Sequence, residues 1–353
     1  MSNYADKVTR LTDVLKSEKA LGRIMTEGLL LSAEEKATST GKPYVQGFIG
    51  NKQYRMMFRM WDIGLEGFLK DVPNEEAVVR LVGNHEIYNE TPQLIVESVI
   101  MSETPVDEFV RHSAVSPDAM RKAVNGLTEG WVREGNCEVL TYVCGFMMDY
   151  CGHYNGLEPL TFFPYGRTVH TEKGGLLQHI YNVVGTLTPV GLPKRADGSC
   201  AVNLAVCAAA AICYRVWIFD YMDVSPVTGS IRKADDRRYA LDGKTRAVTL
   251  LTDCVRVYCG DESFKGGNSF RSPYLENLRH CVCALNGLVE PVTPEAVLIC
   301  SRVKAELDMA RATEAITNGE KSFINVESLP VREETFSGCF SKELRNDGGF
   351  FYI

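Results

Sequence analysis

The sequence predicts a soluble protein of two domains, in which a small barrel of five β-strands precedes an all-α domain. Its 353 residues exceed what one ordinary hydrophobic core holds. Five short runs with strand character follow one another between residues 28 and 101, and helical spacing of apolar residues dominates further along the chain. We therefore expect an N-terminal helix over residues 1–21, the barrel over 22–104, the helical domain over 105–316 and a tail over 317–353.

Five runs rich in β-branched, aromatic and alternating apolar residues predict the strands of the barrel. In chain order they are GLLLSAEEKATS, GKPYVQGFIG, KQYRMMFRMWD, AVVRLVGNHEIYN and PQLIVESVIM. Glycine, proline or asparagine punctuates the gaps between them, as is typical of turns between strands. Five strands within about 75 residues are typical of a small closed barrel, for which the OB fold is the leading candidate.

The third run alternates between an apolar face and a basic, aromatic face. The expected core face comprises Tyr54, Met56, Phe58 and Met60. The outward face comprises Arg55, Met57, Arg59 and Trp61.

Basic and aromatic side chains on this part of a barrel predict a binding surface for single-stranded nucleic acid. OB folds bind single strands on the same sheet region, by attraction of phosphates and by stacking of bases on aromatic rings. The predicted interface comprises Tyr44, Phe48, Lys52, Arg55, Arg59 and Trp61. The alternative is that these side chains only cover the outside of the barrel or pack on the neighbouring domain.

In the second domain, residues 117–151 are predicted to be helical. The segment AAAAICYRVWIFDYM, residues 208–222, is predicted to be one long buried helix with Arg215 at its centre. A buried guanidinium without a partner is costly. The candidate acidic partners are Asp220, Asp253 and Asp308.

Two segments resemble one family, the YhaM-type HD-domain 3′→5′ exoribonucleases. GRTVHTEKGGLLQHIYNVV resembles the entry to the HD domain, and GLLLSAEEKATSTGKPYVQGFIGNKQYRMMFRMWD resembles the OB domain of these enzymes. The two domains follow in the same order, over roughly residues 22 to 312. The resemblance implies an all-α HD-like domain in which histidines and aspartates hold divalent ions that activate water and neutralise charge on the phosphate.

Carried over residue by residue, the resemblance implies that this metal site is degenerate. His179 matches the first ligand, but Tyr214 and Arg215 stand where the family has its His-Asp pair, and a guanidinium cannot bind a cation. The degenerate site comprises His179, Tyr214, Arg215, Tyr258, Cys259 and Arg302, with Asp308 near the last position. We therefore expect no catalytic residue, no metal and no cofactor, and arginines that can still hold a phosphate.

Three functions remain open. The first is a non-catalytic protein that binds single-stranded RNA or DNA, with the helical domain as a scaffold, a dimer surface or a phosphate clamp. The second is an active metal-dependent 3′→5′ exoribonuclease or phosphohydrolase with displaced ligands, drawn from His153, His170, His179 and His280. Six histidines in the whole chain and the lack of a His-Asp dipeptide count against it. The third is a structural or interaction subunit of a larger complex.

The remaining features concern location and partners. Twelve cysteines without a CxxC motif favour reduced thiols, as in the cytoplasm of a bacterium or of a phage-infected cell. The most apolar run, residues 201–219, is interrupted by Asn203 and Arg215, so we expect no membrane span. A net charge of −7 does not exclude nucleic acid, because binding needs only a local basic face.

The aromatic end of the tail, Phe350, Phe351 and Tyr352, predicts a docking peptide for a protein partner. The alternative is a final strand or plug that packs back onto the core.

Overall fold

The computed structural model describes residues 8–52, 54–72, 76–132, 138–234, 236–259 and 273–320. They form two compact units, one reaching Arg111 and one running from His112 to Thr317. Within these ranges no helix combines the length and hydropathy that a bilayer crossing requires. All nine cysteines whose side chains are described are free thiols.

The first unit is a closed barrel of five strands, as the sequence predicts. Its elements are β1 (Val8–Thr9), α1 (Leu11–Leu15), β2 (Gly22–Ala37), β3 (Pro43–Gly50), β4 (Arg55–Trp61), α2 (Leu65–Asp71), β5 (Val78–Tyr88) and β6 (Thr91–Met101). Around the barrel the strand order is β2, β3, β4, β6, β5 and back to β2, and only the β4–β6 pair of this ring is parallel. This Greek-key order, with a helix between β4 and β5, is that of an OB fold.

The long strand β2 closes the barrel because it changes partner along its length. Residues Gly22 to Leu29 pair with β5, and Leu29 to Ala37 pair with β3, with a bulge between Leu30 and Ser32. A bulge increases the local twist and bends the strand, which closure requires. The sequence prediction began this strand only at residue 28, since its first half pairs with residues 49 to 63 positions further on.

The barrel core follows the predicted alternation along β4. Met56 and Phe58 are fully buried, and the ring of Phe58 stacks on that of Phe68 from α2 at 5.7 Å between centroids. Gly47 of β3 lies against the same ring, where an added Cβ would stand 2.6 Å from a Phe58 ring carbon. Only glycine leaves room for this packing.

The predicted N-terminal helix is shorter than expected, and one side of it is buried. Its helical part is α1, which buries Leu11, Val14 and Leu15 in the barrel core. The preceding Val8–Thr9 pairs with β2 as a short parallel strand. The apolar residues of this segment are therefore explained by packing on the barrel.

The second unit is mainly helical. Its elements are α3 (Pro117–Val132), α4 (Glu138–Asp149), α5 (Gly175–Gly185), α6 (Leu204–Cys213), β7 (Met222–Val224), β8 (Ile231–Ala234), α7 (Asp236–Cys259), α8 (Pro273–Leu285) and α9 (Pro294–Glu320). Every residue of α6 is buried, and α6 contacts α4, α5 and α8. The β7–β8 hairpin was not predicted, since the sequence favoured an all-α domain.

The predicted long helix over residues 208–222 is wrong. The α-helix ends at Cys213, and a 3₁₀ turn, Val216–Asp220, follows. The carbonyl of Tyr214 accepts hydrogen bonds from Trp217 Nε1 at 2.7 Å and from Asn286 Nδ2 at 3.2 Å. Side chains thus satisfy one of the carbonyls that a helix end leaves without an intrahelical partner.

Candidate functional sites

The outer surface of β3 and β4 carries an aromatic pair at one end. Tyr44 and Trp61 are directly opposite in the antiparallel register, and their ring centroids lie 4.7 Å apart. Trp61 is 43% exposed, an unusual position for a large aromatic side chain. An exposed ring braced by a second ring is a ready surface for stacking a base.

Two arginines continue this surface along β4. The guanidinium carbon of Arg55 lies 5.8 Å from the ring centroid of Phe48, and that of Arg59 lies 5.9 Å from that of Tyr88. Arg59 Nε also donates to Gln46 Oε1 at 3.3 Å. These contacts hold the two guanidinium groups against aromatic faces.

These two arginines differ from other arginines of the barrel in how their charge is paired. Within the described ranges Arg55 and Arg59 form no ion pair, whereas Arg23 pairs with Glu97 and Arg80 pairs with Glu27, each at 2.9 Å. Lys52 adds an exposed positive charge in the β3–β4 turn. The β3–β4 surface therefore keeps its positive charge for an external anion.

Five of the six predicted interface residues thus share one surface of the β3–β4 ladder, with Lys52 in its turn. Tyr88 was missed. It lies at the end of β5 and is 57% exposed, next to a turn whose Asn89 and Glu90 have φ of 48° and 63°. The Asn-Glu turn is visible in the sequence, but the approach of Tyr88 to Arg59 depends on barrel closure.

The second unit contains a buried cluster in which one carboxylate holds two histidines. Glu306 Oε1 of α9 lies 2.7 Å from His170 Nε2, and Glu306 Oε2 is hydrogen-bonded to His179 Nδ1. Asn182 Nδ2 donates to Glu306 Oε1 at 2.9 Å. His170, His179 and Glu306 are 8%, 0% and 9% exposed, so the cluster is shielded from water.

Further polar groups hold the other nitrogen of each histidine. His170 Nδ1 lies 3.3 Å from Glu172 Oε1, and His179 Nε2 lies 2.6 Å from the hydroxyl of Tyr214. Both rings are therefore fixed in orientation on two sides.

The charge states follow from this network. Burial lowers the pKa of His170, but hydrogen bonds to Glu172 and Glu306 outweigh it and raise that pKa to about 9. Burial raises the pKa of Glu306, yet the hydrogen bonds to both histidines bring it well below its ordinary value. Burial lowers the pKa of His179. An ionised Glu306 therefore accepts from a protonated His170 and from the Nδ1–H of a neutral His179, whose Nε2 accepts from Tyr214.

The Gly-Gly of the resembling segment brings the His170 loop against α5. Gly174 caps α5 with a left-handed φ of 75°. An added Cβ on Gly175 would stand 2.0 Å from the carbonyl oxygen of His170, and His170 itself has a φ of 48°. Glycine at both positions lets this loop lie directly on the first turn of α5, four residues before His179.

Arg215 contacts an aromatic ring and a backbone carbonyl. Its guanidinium carbon lies 4.2 Å above the ring centroid of Tyr165, and it donates to the Tyr165 carbonyl at 3.0 Å. The three acids proposed as partners, Asp220, Asp253 and Asp308, pair with Arg246, Arg256 and Arg311. The Tyr165 ring also lies 4.4 Å from that of His179, so Arg215 borders the histidine cluster.

The structure brings together only part of the predicted degenerate site. His179, Tyr214 and Arg215 meet, but Tyr258 is exposed and contacts Tyr142, with ring centroids 4.8 Å apart. Cys259 ends α7, and its side chain lies outside the described ranges, as do Phe350, Phe351 and Tyr352.

Arg302 is displaced from the cluster by one helical turn. Glu306 follows it by four residues, and that spacing places both on one side of α9. Arg302 Nε is buried and has no hydrogen-bond partner in the described part of the chain. The sequence prediction therefore named a residue of α9 but not Glu306, and it named His170 only among the displaced ligands.

Tyr214 and Arg215, which the sequence resemblance aligned with a His-Asp pair, do not fit a divalent ion. Burial raises the pKa of Tyr214 well above its ordinary value, so its hydroxyl keeps its proton. Arg215 has no lone pair to donate. A different set does converge, because ligand atoms of His170, His179 and Glu306 all lie within 4.8 Å of one another.

No protein-family model matches this chain. No curated protein matches it either.

Solved structures give partial alignments at low identity. A replication protein A heterotrimer bound to ssDNA aligns at 13% identity and a TM-score of 0.19, over 24% of this chain and 60% of that chain. The OB domain of Ta0387 from Thermoplasma acidophilum aligns at 18% identity and a TM-score of 0.21, over 28% of this chain and 88% of that chain. A mitochondrial single-stranded DNA-binding protein from S. cerevisiae aligns at 14% identity and a TM-score of 0.20, over 22% of this chain and 90% of that chain. The assignment of the barrel to the OB fold rests on its strand order and pairing.

Proposed function

We propose that this protein binds single-stranded RNA or DNA on the outer surface of β3 and β4, without hydrolysing it. One observation carries the proposal. Arg59 and Arg55, which form no ion pair within the described ranges, alternate with aromatic side chains along the β3–β4 ladder: Tyr44 and Trp61 at one end, then Arg59, then Phe48, then Arg55.

The spacing of these groups suits a single strand. Tyr44 and Phe48 are four residues apart on β3, which is about 13 Å along the strand. A stretched single strand crosses that distance in about two or three nucleotides, stacking bases on the rings while its phosphates meet the arginines. Because stacking and phosphate contacts read no base edges, we expect little sequence preference.

In this proposal the helical unit is a degenerate HD-like domain that serves as a scaffold or dimer surface. The neutral Tyr214 and the cationic Arg215 support it, since both stand where the resemblance has metal ligands. The free thiols suit a reducing compartment such as the cytoplasm of a bacterium or of a phage-infected cell.

The proposal is tested by the salt dependence of binding. A labelled single strand of about 20 nucleotides is titrated by fluorescence anisotropy over a series of salt concentrations. Each lost phosphate contact reduces the slope of log K against log salt by about 0.7 for a single strand, so Arg55→Ala/Arg59→Ala should reduce it by about 1.4. Arg23→Ala is the matched control, because Arg23 is a barrel arginine already paired with Glu97.

An unchanged slope in the double variant would place the phosphates elsewhere. Absence of binding by the wild-type protein would leave the interaction-subunit function standing, with protein partners of the tail as the next search.

A second function, a metal-dependent 3′→5′ exoribonuclease with displaced ligands, is favoured by the convergence of His170, His179 and Glu306. Its test is the length of a labelled oligonucleotide after incubation with Mn²⁺. Shortening that a chelator abolishes would support the exoribonuclease and contradict the non-catalytic proposal.

A further inference from the structure

We propose that His170, His179 and Glu306 form a binding site for one divalent transition-metal ion of the zinc class. The site differs from the one the resemblance implies, since Tyr214 and Arg215 are no part of its ligand set. It is also independent of nucleic-acid binding by the barrel.

The ligand set is the first argument. One nitrogen of each histidine and one carboxylate oxygen of Glu306 lie within 4.8 Å of one another. Two histidines and one glutamate are an established ligand set for zinc, with the fourth position open to water. Imidazole nitrogen favours zinc and its neighbours over magnesium and calcium, which prefer oxygen ligands alone.

Each proposed ligand is also held in orientation by a further polar group. In metal sites the second nitrogen of a ligating histidine is held by a carboxylate, a carbonyl or a similar group, which fixes the ring. Here Glu172 Oε1 lies 3.3 Å from His170 Nδ1, and the Tyr214 hydroxyl lies 2.6 Å from His179 Nε2. Asn182 Nδ2 holds the carboxylate itself at 2.9 Å. All three ligands are thus oriented before any ion arrives.

The backbone conformation of His170 also supports a metal site. His170 adopts a left-handed φ of 48°, and its loop rests on Gly175, where a side chain would collide with its carbonyl. Such conformations cost free energy and persist where the surroundings impose them, commonly at functional sites. Here the imposed conformation directs His170 Nε2 at Glu306.

Metal entry replaces hydrogen bonds rather than opening new space. The ion takes the place of the protons that lie between the two rings and Glu306. His170 releases its Nε2 proton to solvent and keeps its Nδ1–H toward Glu172. His179 changes tautomer: the proton leaves Nδ1, and Nε2, which accepts from Tyr214 in the ion-free state, becomes protonated and donates to the Tyr214 hydroxyl oxygen. Because the three ligands come from α9, from α5 and from the His170 loop, the bound ion would connect these elements.

The experiment uses the full chain, stripped with a chelator and titrated with Co²⁺ alone and then with Zn²⁺ alone. Visible absorption of Co²⁺ and elemental analysis are the readouts, with no nucleic acid present. We expect one equivalent per chain, with d–d bands of nitrogen and oxygen coordination and no thiolate charge-transfer band.

Variants connect the ion to these residues. Glu306→Gln and His179→Gln should no longer bind the one metal ion per chain. Asn182→Ala should weaken the affinity for the ion by about 10- to 100-fold, as loss of a group that orients a ligand does. Glu295→Gln is the matched control. Glu295 is a buried glutamate of α9 whose carboxylate accepts hydrogen bonds from the backbone N–H of Asn203 and from Asn277 Nδ2. It should keep the full equivalent.

The wild-type melting temperature should rise with Zn²⁺, and that of Glu306→Gln should not. Asn182→Ala keeps the test informative if either ligand variant fails to fold. No stoichiometric uptake by the wild type, uptake that survives Glu306→Gln, or a thiolate band would each overturn the proposal.

Discussion

Replacing Trp61 by alanine separates a binding role from a structural one. The side chain is 43% exposed, and its described ring contact is with Tyr44 at 4.7 Å. Its loss should cost the fold only the aromatic pair, about 0.5–1.5 kcal/mol. Its loss should cost binding one stacked base, about 1–3 kcal/mol.

At 1.4 kcal/mol for each factor of ten, the Kd for a single strand should rise about 5- to 150-fold. The assay is fluorescence anisotropy at one fixed salt concentration, with thermal unfolding measured in parallel. Trp61→Phe should keep most of the affinity, because a phenyl ring still offers a stacking face.

Tyr258→Ala is the matched control for this prediction. Tyr258 is 41% exposed and its ring lies 4.8 Å from that of Tyr142, so it is an equally exposed, ring-paired aromatic in the other unit. It should bind the strand as the wild type does. The reasoning fails if Trp61→Ala binds normally while folded, or if Tyr258→Ala weakens binding to the same extent.

Three further predictions concern stability. Gly175→Ala should lower the free energy of unfolding of the helical unit by about 1–3 kcal/mol, because the new methyl group collides with the His170 carbonyl. Gly185→Ala on the same helix has open space around it and should leave that free energy unchanged, which denaturant unfolding of both variants measures. Phe58→Ala should destabilise the barrel by about 3–5 kcal/mol and leave the helical unit intact, and loss of both units together would contradict the separation into two cores. Because the pKa of His170 is raised from 6.5 to about 9 on folding, its protonated ring stabilises the fold fully below about pH 6.5, and this contribution of about 3 kcal/mol is lost as the pH rises through 9. In a chelator, wild-type stability should fall over that window and His170→Gln should show a flat profile; equal profiles would contradict the assigned charge.

The barrel could be predicted because its signals are local. Period-two alternation placed Met56 and Phe58 in the core and Arg55 and Arg59 outside, and turn residues marked the ends of each strand. What the sequence could not supply was the second partner of β2, which comes from β5, or the burial of α1 against the barrel. Both depend on closure, a long-range property with no local pattern.

The helical unit was harder to predict for a related reason. An all-apolar run such as residues 204–213 gives no period from which a helix end can be located. The end before Arg215 depends on Trp217 and on Asn286, which directly follows α8. Local propensity favoured continuing the helix, and tertiary hydrogen bonds ended it.

The buried cluster was predicted only in outline. The resemblance placed His179 and Tyr214 in one site, and in the structure a hydrogen bond joins them. Glu306 was missed by one helical turn, an error that alignment without strong anchors readily makes. His170 carried no periodic signal, since it lies in a loop whose path is set by Gly174 and Gly175.

The central claim, that a single strand lies across β3 and β4, is tested most directly by photo-crosslinking. A labelled oligonucleotide is irradiated on the full-length protein, and the modified peptides are identified by mass spectrometry. The account predicts adducts on aromatic residues between positions 44 and 61, above all Tyr44, Phe48 or Trp61, which free unlabelled strand competes away. Specific adducts confined to the helical unit would contradict it.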